Sequence, residues 1–351
     1  MIFLLILILL AAAFVIFCIC MTNITFKVTY RRFAIDRENN LLYLYDEKYK
    51  DKYPMREVSF PSGDETLRGY ILGEYNDKAL AVFSHGIWSG PEEYLPIMTY
   101  LVDRGYRVFA YDYTGYDKST GESAKGLPQS PLDLHAALSY IESDPELSKL
   151  KKCILGHSWG GYASTAVLNF DHDVTAACAM SGFNDPYTIS VETSKGMLGP
   201  VIGSCMGPFI RRKNQSLFGK YGNLSATDGI NKANIPVLIT HADHDDFIGY
   251  ETSSIICHKD EITNPKVEYV TITEEPRNNH NDFFLSVDSA KATQEFRAGY
   301  AKIEKEFGKG LPPVVPAEKK RSYYATADKE RCNQPSPEYF ALVADFFDRA
   351  L

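Results

Sequence analysis

One pentapeptide combines a serine with the two glycines that a sharp strand-to-helix turn requires. Residues 156–160 read GHSWG, follow an apolar run that ends at Leu155 and open a segment with helical character. Side chains in place of Gly156 and Gly160 would collide with neighbouring strands, while Ser158 is pushed into a strained conformation with its hydroxyl exposed. The pentapeptide alone recurs by chance, but this placement predicts a nucleophilic serine on a nucleophile elbow.

A serine hydroxyl becomes nucleophilic when a base takes its proton, and that base is commonly a histidine held by a carboxylate. Two later segments offer these groups. Residues 241–248, HADHDDFI, follow the run 236–240 and contain three aspartates. Residues 278–282, NNHND, follow the run 267–272 and contain His280. Residue types alone make His280 a candidate base and leave open which aspartate orients it.

Short apolar runs alternate with amphipathic segments through most of the chain, which is the pattern of βαβ units and a mostly parallel sheet. The strand-like runs lie at 79–84, 107–111, 153–155 and 175–180, and the helix-like segments at 94–103, 132–143 and 162–169. Two earlier runs, 58–60 and 67–72, flank the turn 61–64 and predict a hairpin at the start of the sheet. The expected fold class is therefore α/β.

Two stretches interrupt this alternation. Residues 184–233 form an insertion that is too long for a simple crossover between strands. Its part 196–210 has no charge and four glycines, which is consistent either with ordinary packing or with a mobile lid over an apolar pocket. Residues 309–337 contain five prolines and predict an inserted surface loop.

The first 21 residues carry no charged side chain and would reach about 30 Å as a helix, which predicts a membrane anchor. A cleaved signal peptide is the alternative, but the basic leader and small-residue cleavage site typical of one are missing. Basic residues follow the span, starting with Lys27 and Arg31, and indicate a single-pass protein with a cytoplasmic domain. We expect an anchor at 1–21, a connector at 22–55 and a catalytic domain at 56–351.

Composition excludes several other classes of protein. The 351 residues include 37 basic and 45 acidic side chains, and the net charge of −8 argues against a nucleic-acid partner. Seven cysteines show no CxxC spacing, so we expect reduced, mostly buried thiols and no structural metal. A metal site among His241, Asp243, His244 and Asp245 fits by residue type, but no regular element there would fix its ligands.

Five blocks together resemble the α/β-hydrolase superfamily, in the subgroup of monoacylglycerol-lipase-like and serine-aminopeptidase-like hydrolases. They are residues 84–87 (SHGI), 105–119 (GYRVFAYDYTGYDKS), 156–160, 241–248 and the segment around His280. The resemblance covers about residues 56–350. It implies an α/β-hydrolase fold, with a mostly parallel central sheet, helices on both faces and a lid insertion, preceded here by one transmembrane helix.

The resemblance also assigns roles to individual residues. In the family the order along the chain is serine, acid, histidine. The family pattern HG-x-x-D-x-x-V selects Asp245, four residues after His241, so the implied catalytic residues are Ser158, Asp245 and His280. The implied oxyanion hole consists of the backbone N–H groups of Ile87 and Trp159.

The chain departs from the family pattern before His280, where Asn279 replaces the usual glycine, and in the block 105–119. Asp117 stands where the D-x-x-G-x-G-x-S block has its second glycine. This change puts the geometry of that loop in doubt, but not the three catalytic residues.

These observations predict a membrane-anchored serine hydrolase that cleaves carboxylic esters, small or lipid-like, through an acyl-enzyme on Ser158. The chemistry needs water and no cofactor. An amidase or aminopeptidase with the same triad is an alternative, since the serine-aminopeptidase branch shares every block. A hydrolase-fold protein that binds a ligand without catalysis is another, because fold alone does not give function.

Overall fold

The computed structural model describes residues 1–307 and 314–351. It begins with a single long helix, α1, at Ile2–Thr29. This helix extends eight residues beyond the anchor predicted from hydropathy, into the predicted connector, because no proline or glycine interrupts it before Tyr30. It is the one helix in the described residues that is long and apolar enough to cross a membrane.

A single eight-stranded sheet forms the centre of the molecule, in the order β1-β2-β4-β3-β5-β6-β7-β8. The strands are β1 Met55–Ser62, β2 Glu65–Leu72, β3 Leu80–Ser84, β4 Arg107–Tyr111, β5 Lys152–His157, β6 Ala176–Met180, β7 Val237–Ala242 and β8 Val267–Ile272. The hairpin partners β1 and β2 are antiparallel, as is the pair of β2 and β4, and the remaining pairs are parallel. The predicted mostly parallel α/β architecture is confirmed.

Helices cover both faces of this sheet. They are α2 Leu95–Asp103, α3 Gln129–Ser143, α4 Trp159–Ala166, α5 Pro186–Leu198, α6 Pro200–Cys205, α7 Gly207–Phe218, α8 Ala226–Ala233, α9 Val287–Phe307, α10 Ala317–Tyr324, α11 Lys329–Cys332 and α12 Pro337–Ala350. Successive side chains of a strand point to opposite faces. Accordingly Leu80 and Val82 join a core with α3, α4 and α8, while Ala81 and Phe83 join one with α2 and α12.

The two predicted insertions differ in structure. Residues 184–233 contain α5, α6, α7 and α8, all placed between β6 and β7. Their role as a lid stays a prediction. Of the predicted surface loop 309–337, residues 309–313 lie outside the described residues, and the remainder contains the short helices α10 and α11 rather than irregular chain alone.

The turn between β5 and α4 is the tightest feature near the centre of the sheet. Ser158 adopts φ 58° and ψ −114°, a region that residues with a side chain rarely occupy. A Cβ atom on Gly160 would overlap the backbone carbonyl of Ser84, and one on Gly156 would overlap the carbonyl of Gly160. Glycine is therefore required at both positions because β3 and α4 lie in direct contact with the turn.

We predict that Gly160→Ala lowers the free energy of unfolding by about 2–4 kcal/mol, because neither backbone in the clash can move without disturbing the sheet. Gly196→Ala is the matched control. Gly196 lies in α5 with open space around its Cα, so alanine should raise stability by about 0.5–1 kcal/mol. Urea unfolding followed by circular dichroism measures both. Equal stability of the Gly160 variant and the wild type would contradict the packing described for this turn.

Candidate active site

Ser158 lies at the carboxyl end of β5, where the parallel strands present their loops. Its N–H donates to the carbonyl of Met180 at 2.8 Å, and its carbonyl accepts from the N–H of Tyr162 at 3.1 Å. These bonds join the turn to β6 on one side and to α4 on the other. The side chain is therefore presented from a backbone that is fixed at both ends.

Asp245 and His280 are brought together from the loops that follow β7 and β8. The Nδ1 atom of His280 lies 2.6 Å from Oδ2 of Asp245. The other carboxylate oxygen accepts from the N–H groups of Phe247 at 2.9 Å and Ile248 at 2.8 Å. Because the acceptor is a carboxylate, Nδ1 of His280 carries the proton and Nε2 is left to accept one.

The charge of Asp245 is stabilised within a buried site. Burial alone would raise the pKa of this carboxyl, but the hydrogen bonds from His241 and His280 outweigh burial and hold the pKa well below its ordinary value. Asp245 is therefore ionised at neutral pH, as the orienting acid of a triad must be. The selection of Asp245 among three aspartates agrees with this geometry, since Asp243 pairs instead with His244 at 2.7 Å.

His241 is a second histidine on the same carboxylate, and sequence reasoning gave it no role in the site. Its Nε2 atom lies 3.2 Å from Oδ2 of Asp245 and 3.0 Å from the carbonyl of Ile248. Both partners are acceptors, so Nε2–H donates to both. The available signal was the four-residue spacing between His241, at the end of β7, and Asp245.

His157, the residue before the predicted nucleophile, connects Ser158 to the segment of His280. Its Nε2 atom lies 2.9 Å from the backbone carbonyl of His280, and the two imidazole rings are 4.7 Å apart. Since a carbonyl only accepts, Nε2 of His157 carries the proton. Burial, then the neighbouring His280, depress the pKa of His157 well below its usual value, so the ring is neutral and its Nδ1 accepts.

Tyr94 supplies the donor for that Nδ1 and was not identified from the sequence. Its hydroxyl lies 2.8 Å from Nδ1 of His157 and accepts from the N–H of Gly86 at 3.3 Å. Burial raises the pKa of Tyr94, which keeps the phenol protonated. A lone tyrosine before a helix gives no signal in a sequence, because its role depends on a contact 63 residues away.

The loop after β3 carries the predicted oxyanion donor Ile87 and lies against the elbow. A Cβ atom on Gly86 would be 3.6 Å from Cβ of Ser158. His85 is buried and neutral, with burial lowering its pKa to about 4, and its Nδ1 donates to the carbonyl of Gly86 at 2.8 Å. Within the described residues, neither the N–H of Ile87 nor that of Trp159 donates to another protein group, so both are free for a ligand oxygen.

The backbone and contacts of Asp117 explain how it takes the place of the family's second glycine. It adopts φ 33°, a backbone conformation that glycine favours. Its carboxylate binds the guanidinium of Arg37 at 2.6 Å, and its carbonyl accepts from Arg32 at 2.9 Å. Two arginines of the connector therefore hold the loop in the shape that the missing glycine would allow.

The remaining predicted contact is the one between Ser158 and His280. Within the described residues the Ser158 hydroxyl makes no hydrogen bond to that imidazole. Catalytic hydrogen bonds are often long before a substrate is bound. The complete triad therefore stays a prediction, with the acid and base in contact and the serine on the neighbouring turn. No cluster of three or more potential metal ligands occurs in residues 1–307 or 314–351, and all seven cysteines are free thiols.

The sheet order, the elbow after β5 and the acid and histidine after β7 and β8 define an α/β-hydrolase fold. Residues 75–195 match the family model described as serine aminopeptidase, S33. The uncharacterized protein YfhR of Escherichia coli O157:H7 is 28% identical over 138 residues, which are 37% of this chain and 48% of YfhR. The chain thus spans about half the length of this curated relative.

Two solved structures share the fold. The esterase Pf2001 of Pyrococcus furiosus has a TM-score of 0.51 and 18% identity, over 78% of this chain and 97% of the esterase. An acylaminoacyl peptidase in complex with Z-Gly-Gly-Phe-chloromethyl ketone has a TM-score of 0.50 and 16% identity, over 77% of this chain and 44% of the peptidase. The α/β-hydrolase resemblance is confirmed by the fold, and the family-model match of residues 75–195 supports a hydrolase.

We predict that Tyr94→Phe lowers kcat/KM by about 10- to 100-fold, which corresponds to about 1.4–2.7 kcal/mol for buried groups left without a partner. The variant removes the donor to His157 and the acceptor of Gly86 while keeping the ring. Tyr100→Phe, in the helix α2 that follows Tyr94, is the control, since the Tyr100 hydroxyl has no hydrogen bond in the described residues. Steady-state rates on a soluble p-nitrophenyl ester measure both variants. An unchanged kcat/KM in the Tyr94 variant would show that the Tyr94 hydroxyl does not support the site.

Proposed function

We propose that this protein is a membrane-anchored serine hydrolase that cleaves carboxylic esters, with a preference for lipid-like acyl groups. The observation that carries the proposal is the 2.6 Å hydrogen bond between Asp245 and His280 beside a serine held at φ 58°. The carbonyl of His280 is bonded to the residue that precedes this serine. The acid, the base and the nucleophile of a hydrolytic triad are thus held by one connected set of loops.

In the proposed reaction, Nε2 of His280 takes the proton of Ser158 as its Oγ attacks the ester carbonyl. Negative charge develops on the carbonyl oxygen, where the N–H groups of Ile87 and Trp159 stabilise it; each such donor contributes about 3 kcal/mol in related chemistry. The C–O bond to the alcohol breaks, and His280 returns the proton to the leaving oxygen. Water then attacks the acyl-enzyme by the same route and releases the acid.

The apolar surface around these residues supports a lipid-like substrate. Phe247 is 59% exposed and its ring lies 5.1 Å from that of His280. Trp88, next to the proposed oxyanion donor, is 49% exposed. Large apolar side chains left open to solvent beside a site are typical of surfaces that contact apolar ligands.

The anchor is supported by the way α1 joins the domain. Phe26 and Tyr30 are buried in the main core, and Cys18 packs against the insertion. Removal of the helix up to and including Cys18 as a signal peptide would expose Met206 and Ile210, which Cys18 contacts in the folded domain. The basic residues after the span favour a cytoplasmic domain, as the sequence predicted.

We predict that a fluorophosphonate probe labels the wild-type protein and that Ser158→Ala abolishes both labelling and ester hydrolysis, because the probe reacts only with an activated serine. Ser139→Ala is the matched control, since Ser139 lies on α3 and bonds only its own helix. In-gel fluorescence and initial rates provide the two readouts. A folded wild-type protein that is not modified at Ser158 would refute the hydrolase proposal and favour a binding protein.

An amidase or aminopeptidase is the second candidate, favoured by the match of residues 75–195 to the serine aminopeptidase family model. Recognition of a peptide amine requires a free carboxylate near the nucleophile. The buried acids beside His280 are already engaged: Asp245 by two histidines, and Asp282 by Gln294 and Arg297. This engagement favours an ester over a peptide substrate.

We predict that the protein prefers p-nitrophenyl esters to the matched aminoacyl anilides by more than their intrinsic reactivity explains. The ester-to-anilide ratio of kcat/KM should exceed the ester-to-anilide ratio of the uncatalysed hydrolysis rates. The esters should also gain rate as the acyl chain lengthens, because apolar area is then buried on binding. Spectrophotometric release of p-nitrophenol and p-nitroaniline measures both series, with Ser158→Ala as the blank. A preference for the anilides would contradict the ester hydrolase proposal and favour the amidase or aminopeptidase candidate.

A further inference from the structure

The insertion between β6 and β7 makes a second apolar surface next to α1. We define the cap corner as residues 197–205, which include the end of α5 and all of α6. Within it Met197 is 69% exposed and Val201 is 76% exposed, and Ile202 is 40% exposed. Single exposed apolar residues are common on soluble proteins, but three within six positions form a patch.

Contacts with the anchor helix fix the position of the cap corner. Cys18 and Met21 of α1 pack with Leu198, within the corner, and with Met206, directly after it. The Nζ atom of Lys213 donates to the side-chain oxygen of Asn23 at 2.9 Å. The cap corner is therefore seated against the turn of α1 that begins at Cys18.

That turn lies where the apolar helix reaches the end of a bilayer. The exposed part of α1 before Cys18 measures about 24 Å at about 1.5 Å per residue, and the next turn completes about 30 Å, the thickness of the hydrocarbon region. Beyond this turn the helix carries its first charged side chain, Lys27. A membrane spanned by α1 would thus have its boundary at the level of the cap corner.

The charges around the corner are those that an acidic lipid surface would attract. Lys195, Arg211 and Arg212 are exposed on α5 and α7, on the two sides of the apolar patch. Apolar side chains between basic ones are the arrangement found in segments that lie in the headgroup region of anionic membranes.

The loop that carries the oxyanion donor is joined to the same helix. The indole Nε1–H of Trp88 donates to the carbonyl of Thr29, at the end of α1, at 2.9 Å. The backbone N–H of Trp88 donates to the Tyr116 hydroxyl at 3.2 Å. One helix therefore carries the cap corner near its middle and the entrance to the site at its carboxyl end.

We infer that the cap corner inserts Met197, Val201 and Ile202 into the boundary of the membrane that α1 spans, with Lys195, Arg211 and Arg212 on anionic headgroups. This inference rests on the proposed anchoring. It assigns the enzyme a second contact with lipid, so that the insertion is held at the surface from which apolar substrates come.

Three exposed cysteines of the chain provide the test: Cys20 in α1, Cys205 in the cap corner and Cys257 elsewhere on the domain. Full-length variants that keep one of these, with serine at the other two, are labelled with an environment-sensitive nitrobenzoxadiazole dye. They are reconstituted in phosphatidylcholine–phosphatidylserine nanodiscs that contain a spin-labelled lipid quencher. Cys257 is the matched control, since it lies outside the cap corner, near the acidic side chains of Glu251 and Glu261.

We predict that lipid quenching at Cys205 reaches at least about half of that at Cys20, as shallow insertion requires, and that Cys257 is not quenched. Quenching at Cys20 without quenching at Cys205 would contradict the insertion of the cap corner into the membrane and leave the proposed anchor intact. Absence of quenching at Cys20 would overturn the anchor and the inference together, while fluorophosphonate labelling of Ser158 in the same samples reports on the hydrolase separately. Crosslinking of Cys205 to a second copy, without quenching, would identify a protein interface instead and also overturn the inference.

A pair of aspartates gives a second readout. Met197→Asp combined with Val201→Asp should lower hydrolysis of a bilayer-borne ester by about tenfold, because charged side chains oppose insertion, and should leave the rate on a soluble short-chain ester unchanged. The matched control is alanine at both positions. Equal losses on the two substrates would indicate a structural defect and contradict the inference.

Discussion

The conformation of Ser158 is the constraint on which the rest of the site depends. A residue with a side chain at φ 58° carries a strain of about 1–3 kcal/mol, which only a surrounding structure can maintain. Here the strain is maintained by the bonds of Ser158 to β6 and α4, and by glycines that let β3 and α4 approach the turn within van der Waals contact. The backbone geometry of this serine is therefore a property of the sheet, not of a loop.

Around this turn the polar groups form one continuous hydrogen-bond network that ends at a single buried carboxylate. The N–H of Gly86 donates to Tyr94, Tyr94 to His157, and His157 to the carbonyl of His280. His280 in turn donates to Asp245. Each donor has one acceptor, so the tautomer of every ring follows from its neighbours. The loop of the predicted oxyanion donor Ile87 and the proposed base His280 are thus connected through the elbow itself.

Much of this arrangement could be predicted from the sequence, because the signals are local. The apolar runs predicted the strands and the glycines of the pentapeptide predicted the elbow, while the resemblance to the family pattern that starts at His241 selected Asp245. The contact of Tyr94 with His157 could not be predicted in this way, since only the folded sheet creates it. The contact of His241 had only its four-residue spacing from Asp245 as a signal. Likewise Asp117 looked like a loss of loop geometry until its pairing with Arg37, a residue of the connector, was seen.

The burial of Phe26 and Tyr30 has a consequence for how such an enzyme would find its substrate. No flexible tether separates the first helix from the catalytic core, since Tyr30 accepts a hydrogen bond from Ala124 and Phe33 bonds Gly115. In the anchored protein that we propose, the domain cannot swing or tumble relative to its helix. Its entrance would then face a fixed direction, and the search for substrate would become two-dimensional diffusion along the leaflet.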